Sequence, residues 1–241
     1  MRTRWLRWIC GKADLRVRRS LGEGGKVRLY VVMIVAASTA AIAAQRLDVP
    51  TRALLESGID AFLAGRVEES VAVFDRVVKQ APEVAPELWQ RGIALYYVGR
   101  YRDCRAQFES HRTVNPNDVE NPAWHFLCVA RAESPARARA ALLPVGPDQR
   151  SPMREVYQMF QGTLPPEKVI EAGAGSASGQ FFAQLYVGLY YEAAGNAARA
   201  LPHLKAAADE RFARAGGYMH VVARLHPALR GPARDGGRGN P

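Results

Sequence analysis

Five histidines, three cysteines and one glycine–serine stretch are where this 241-residue chain could carry chemistry. His111, His125, His203, His220 and His226 are types that ligate metals or act as bases. None stands one helical turn from a second histidine with a carboxylate between, the spacing that puts metal ligands on one face. AGAGSASG, residues 172–179, has the composition of a phosphate loop but lacks the closing Gly-Lys-Ser/Thr, and no strand pattern precedes it. It is not a nucleophile elbow either, because Ser176 follows Gly175 directly and Gly-x-Ser-x-Gly is not met. It reads as a flexible loop. Glu155, Glu171 and Glu192 fall on helical patterns with no evident partner and read as parts of a solvated face. No catalytic residue, metal or cofactor is expected, and the chain reads as a non-enzyme.

The formal charge of +10 would suit a nucleic-acid binder, but its distribution argues against one. Residues 1–43 hold nine Lys/Arg against two Asp/Glu, and residues 224–241 hold four against one, so residues 44–223 are neutral. No nucleic-acid partner is expected. The apolar run LYVVMIVAASTAAIAA, residues 29–44, is sixteen residues long, short of the roughly 20 a membrane span needs. Lys26 and Arg28 precede it, and Ala41 and Ala43 set a small-x-small site with the cut before Ala44, which reads as an export signal. The other reading is an uncleaved anchor, which would make this segment the chain's one membrane contact. Glu23-Gly24-Gly25 can be encoded by a string like a ribosome-binding site, and Val27 by a GTG start, so residues 1–26 are expected to precede the true start. The expected location is exported, periplasmic or membrane-associated and facing the periplasm. Beyond the leader, Cys104 and Cys128 remain. A disulfide is open to them in an oxidising compartment. The simpler expectation is two buried thiols, because they lie on different helical units.

The elements that would position any site come from a period. LLESGIDAFLAGRVEESVAVFDRVVKQAP and LWQRGIALYYVGRYRDCRAQFESHRTVNP align at a shift of 34 residues, which pairs Gly58 with Gly92, Gly65 with Gly99, Phe74 with Phe108 and Pro82 with Pro116. A period of this length marks stacked helix–turn–helix units. Helices are expected over 52–64, 67–80, 86–98 and 101–114. Asn121 is expected to cap the next helix with Pro122 at its first position, and Ser134 to cap the one after. Ser151-Pro152 opens and Gly162 closes a further helix, and PPEKVIEAG supplies a short one. A last pair has Gly188 and Gly195 in the places of Gly92 and Gly99. A helix at YMHVVARL is expected to cover the open end. Glycine inside a helix costs about 1 kcal/mol relative to alanine, so Gly58, Gly92 and Gly188 are read as close-packing positions and Gly65, Gly99 and Gly195 as turns.

Both aligned stretches resemble tetratricopeptide repeats, which implies an all-α superhelix, an α-solenoid, over residues 44–225. Residues 1–43 form the leader and signal, and residues 226–241 a disordered tail. RGIALYYVGR, NPND, a tryptophan helix, MFQGTLPPEKV and YVGLYYEAAGN, in that order, look like the bacterial family called new lipoprotein I, over about residues 50–212. The lipid-bearing cysteine of that family is absent. The resemblance implies an adaptor that brings envelope proteases or peptidoglycan-remodelling enzymes together and forms homodimers. The alternative is a structural or assembly subunit of a secretion or outer-membrane complex.

In such an array the first helix of each unit lines the inner side. Leu55, Ile59 and Phe62, then Trp89, Ile93 and Tyr96 with Tyr97 beside them, share one face at spacings of three and four. Two readings stand. The stripe is either a groove for an apolar helix or strand of a partner, with Arg100 at its edge, or a surface the chain buries against itself. Repeats that clamp a peptide's terminal carboxylate carry Lys, Asn and Arg at such places, so that ligand class is not expected here.

Overall fold

A computed structural model describes residues 47–230, and the expected leader, export signal, start site and residues 231–241 lie outside the described residues. Among the described residues every regular element is helical. The first two helices are α1, Val49–Leu63, and α2, Val67–Gln80. Asp48 caps α1 by accepting from the Thr51 N–H, and Pro50 sits in the first turn, where its missing N–H costs nothing. A 3-10 turn, Pro82–Glu87, leads into α3, Trp89–Tyr97, and α4, Tyr101–His111. The helix expected from residue 86 therefore starts three residues later, because the prolines at 82 and 86 hold the chain in the tighter turn.

These pairs share two devices. In α1/α2 the Gly65 N–H donates to Phe62 O and the Arg66 N–H to Ala61 O, with Gly65 at φ +77°. The same two bonds recur at Gly99 and Gly195, each left-handed, which is the turn that lets a helix end and reverse. A Cβ at Gly58 would lie 3.1 Å from Val73 and 3.2 Å from Phe74, one at Gly92 2.7 Å from Phe108, and one at Gly188 2.8 Å from Leu204. Bare glycine thus brings the paired helices close enough for the buried Ser70 hydroxyl to donate to the Gly58 carbonyl at 2.8 Å.

The middle of the chain is α5, Glu120–Ala132, α6, Pro135–Ala140, α7, Met153–Gln161, and α8, Pro166–Gly173. Asn121 does not cap α5, which begins one residue earlier. With its amide turned to suit its neighbours, its nitrogen donates to Phe108 O at 3.0 Å and its oxygen accepts from the Arg112 N–H at 3.2 Å, at the end of α4. The α5 start is served instead by Asp118, which accepts from the Glu120 N–H, and by Asp148, which accepts from the Val119 N–H. AGAGSASG is not a flexible loop. Ser176 caps α9, Ala177–Ala193, and a Cβ on Gly173 would meet the Gly179 carbonyl at 2.5 Å, so these glycines let α8 and α9 join at close quarters.

After α10, Ala197–Ala207, and a 3-10 turn, Glu210–Phe212, come α11, Ala213–Gly216, and α12, Tyr218–Leu229. Residues 226–229 are therefore helical, with His226 and Leu229 buried, and do not belong to a tail. Cys104 of α4 and Cys128 of α5 are bonded as a disulfide, with Cα atoms 5.9 Å apart. They lie on different units, as their positions suggest, but α4 and α5 pack directly, which brings the two thiols together.

Candidate functional site

The inner face is occupied. Tyr218 of α12 stacks on Phe62 of α1 at 5.4 Å and meets Trp89 of α3 edge-on at 4.9 Å. His226, two turns on, meets the Tyr97 ring at 5.8 Å, while His220 faces Phe181 of α9 at 6.2 Å. One helix thus touches α1, α3 and α9, so the row of first helices curls around it. Leu55, Ile59, Phe62, Ile93, Tyr96 and Tyr97 are buried, and Trp89 is half-buried. An open groove at these residues is not what the structure has; α12 covers the face at Phe62, Trp89 and Tyr97, beyond the open end it was expected to close. Arg100, expected at the edge of this face, is engaged in ion pairs. It pairs with Asp75 at 2.5 Å and Asp103 at 2.7 Å, tying α2 to α4.

A buried polar chain holds α12 in place. The Glu192 carboxylate of α9 accepts from His226 Nε2 at 2.5 Å and from Arg230 Nε at 3.0 Å. With Nε2–H committed to the carboxylate, His226 Nδ1 accepts from the Tyr97 hydroxyl at 2.9 Å. The Arg230 guanidinium lies over the Tyr96 ring at 5.7 Å. Burial pushes the Glu192 carboxyl up, but His226 and Arg230 outweigh it and hold it at about 2. Burial drives the Tyr97 phenol well above its ordinary value. A carboxylate–imidazole–hydroxyl relay has the outline of a catalytic triad, yet it ends on a tyrosine 3% exposed, which no substrate reaches while α12 is seated. Its present work is to clamp.

Beside the N-terminal end of α12 lies a cavity of about 270 Å³, with Trp89, Ile93, Phe108, Trp124 and Met219 on its apolar side. Its polar side is His111, Asn115, Asp118 and Glu120. His111 Nδ1 donates to Pro86 O at 2.8 Å, and burial lowers its pKa, so it stands neutral. The carboxylates belong to a knot around Arg150, which reaches Asp118 and Asp148 at 2.6 Å each and Glu120 at 2.7 Å. Tyr186 donates to Glu120 at 2.5 Å. Burial pushes the Glu120 carboxyl up against the pull of Arg150, and Asp118 adds to the rise. The Trp124 indole N–H is buried with no hydrogen-bond partner among the described residues.

The other singled-out residues fall elsewhere. His203 pairs with Gln184, His125 lies 3.4 Å from Glu109, Glu155 holds Arg154, and Glu171 holds Lys168. Among the described residues no three His, Cys, Asp or Glu side chains gather as metal ligands do. Glu192, read from sequence as solvated, is the centre of the clamp. Its partners stand 34 and 38 residues away, and no local spacing joins them. Comparison with family models and with curated proteins finds no match to the chain.

Proposed function

We propose that the chain is an exported, non-enzymatic scaffold of the tetratricopeptide class that binds other proteins of the cell envelope. The observation that carries this reading is the seated helix. The row of first helices holds an amphipathic helix by spaced aromatic and apolar anchors, which is how helix-in-groove modules hold their targets. The recurring glycine contact and left-handed glycine turn support the repeat assignment. The bonded Cys104–Cys128 pair supports an oxidising compartment, and with it export. The partners are taken, from the resemblance to new lipoprotein I, to be envelope proteases or peptidoglycan-remodelling enzymes, held near one another at raised effective concentration.

The test is crosslinked capture from native membranes with wild type and Trp89→Ala. Trp89 is half-buried beside both Tyr218 and the cavity, so its loss changes the inner face with less damage than loss of Tyr96. Substoichiometric envelope proteins that disappear in the variant are the expected result. Recovery of both proteins in one large fixed-stoichiometry complex would replace the adaptor by the assembly-subunit reading.

A further inference from the structure

We propose that α12 is a displaceable internal ligand, and that the face beneath it accepts a partner's amphipathic helix. That partner carries two adjacent aromatic side chains, an aliphatic residue one turn later and an imidazole two turns later. The pattern is α12's own inward one with its methionine exchanged for an aromatic: Tyr218 and Met219, then Val222, then His226 are all packed against the inner face or buried. The inference rests on the scaffold reading and names the kind of partner it takes.

Three observations make α12 an imperfect occupant. The Tyr218 hydroxyl is buried with no hydrogen-bond partner among the described residues, so phenylalanine would suit the seat better. The cavity of about 270 Å³ opens beside Met219, and a bulkier side chain there would fill it and offer its edge to Trp89 and Trp124. A second hollow of about 470 Å³ runs along Val221 and Leu225 against Asp60, Leu63 and Ala64 of the first unit. The joint needed for release is present: α12 is preceded by Gly216-Gly217, with Gly217 at φ +59°, ψ −129°, outside the range of other residues. The polar clamp sits at the far end of α12, so a swing about the Gly216-Gly217 joint is held back by that clamp and follows when it opens. A competitor displaces α12 only by binding the open face better than the tethered helix does, and its apparent affinity is lowered by the fraction of chains that are closed.

The experiment uses the full chain and a fluorescein-labelled peptide of residues 217–230 carrying Tyr218→Phe and Met219→Trp, with the native-sequence peptide as control. Anisotropy should show saturable binding of the altered peptide at least tenfold tighter than the control. Both should tighten in a His226→Ala chain, whose clamp is broken. Hydrogen exchange on the wild-type chain guards against a variant that fails to fold: α12 amides should exchange through an opening that leaves α9 protected. Absence of peptide binding to the wild-type chain, or exchange of α12 only together with α9, would overturn the proposal. Peptide binding without captured envelope proteins would sink the scaffold reading alone. Captured proteins that the altered peptide does not release would put partners on another face and sink this inference alone.

Discussion

Gly58, Gly92 and Gly188 occupy one place in three helix pairs, yet filling that place does not cost the same in each. Alanine gains about 1 kcal/mol of helix propensity over glycine. At Gly92 the new methyl would sit 2.7 Å from two ring atoms of the buried Phe108, so the whole ring must shift from its place beside Trp124. Overpacking of this kind costs about 1–3 kcal/mol, so after the propensity gain Gly92→Ala should lose up to about 2 kcal/mol net in urea denaturation. At Gly58 the nearest atoms are 3.1 Å away on the half-buried Val73 and 3.2 Å away on Phe74, so the neighbours need give by only a few tenths of an ångström. Gly58→Ala should stay within about 1 kcal/mol of wild type. Gly99→Ala meets nothing within 4 Å, so its cost is that of a φ of +80° alone, about 1–2 kcal/mol. Equal stability for Gly92→Ala and Gly58→Ala would show that close approach is not what the glycine at 92 provides.

At the scale of elements, the disulfide does what short connections cannot. It joins α4 to α5 covalently across a separation of 24 residues, where the linking loop is held by hydrogen bonds and by the Arg150 knot. Closing a loop of that length is worth about 3 kcal/mol in the chain-entropy account. Cys104→Ser should therefore lower the melting temperature by about 6–12 °C for a chain of this size, and reductant should bring wild type down to the same value. Alkylation of both cysteines in unreduced native protein would show that they are not paired there. The elements themselves were largely legible. The 67–80 helix has the ends its glycine and proline landmarks set, because those residues act within one turn of themselves. The α8/α9 junction was not legible. Gly173 and Gly179 look like a flexible stretch by composition, and only the close crossing of two helices shows why they lack side chains. The expectation of two buried thiols at Cys104 and Cys128 fails for a related reason: position in sequence says which unit a residue is on, not which helix of that unit faces the next.

For the whole molecule, the decisive contact spans 129 residues, from Tyr97 to His226, and ties the last helix to the second unit. Sequence supplied both residues and no reason to join them. Glu192 lay in the last pair and His226 in what read as a tail, and their partnership exists only once the row of first helices has curled round α12. That long-range closure makes stability depend on pH in a defined direction. The Glu192 carboxyl is held at about 2 by His226 and Arg230 in the folded chain, below its ordinary 4.5. A carboxyl lowered in this way contributes stability that is fully present above the ordinary value and drains as pH falls through the folded one. The contribution is on the order of 3 kcal/mol at neutral pH, from about 1.4 kcal/mol per unit of displacement. Glu192→Gln keeps an acceptor for the His226 N–H but loses the charge that Arg230 needs. Urea melts at pH 7, 5 and 3 should place the variant below wild type by about 2–3 kcal/mol at pH 7 and nearly as far at pH 5. By pH 3 the gap should have closed by about half. The loss should appear first as faster exchange in α12, because that is the element the carboxylate holds. A gap unchanged between pH 7 and pH 3 would mean that charge at residue 192 is not what keeps α12 seated.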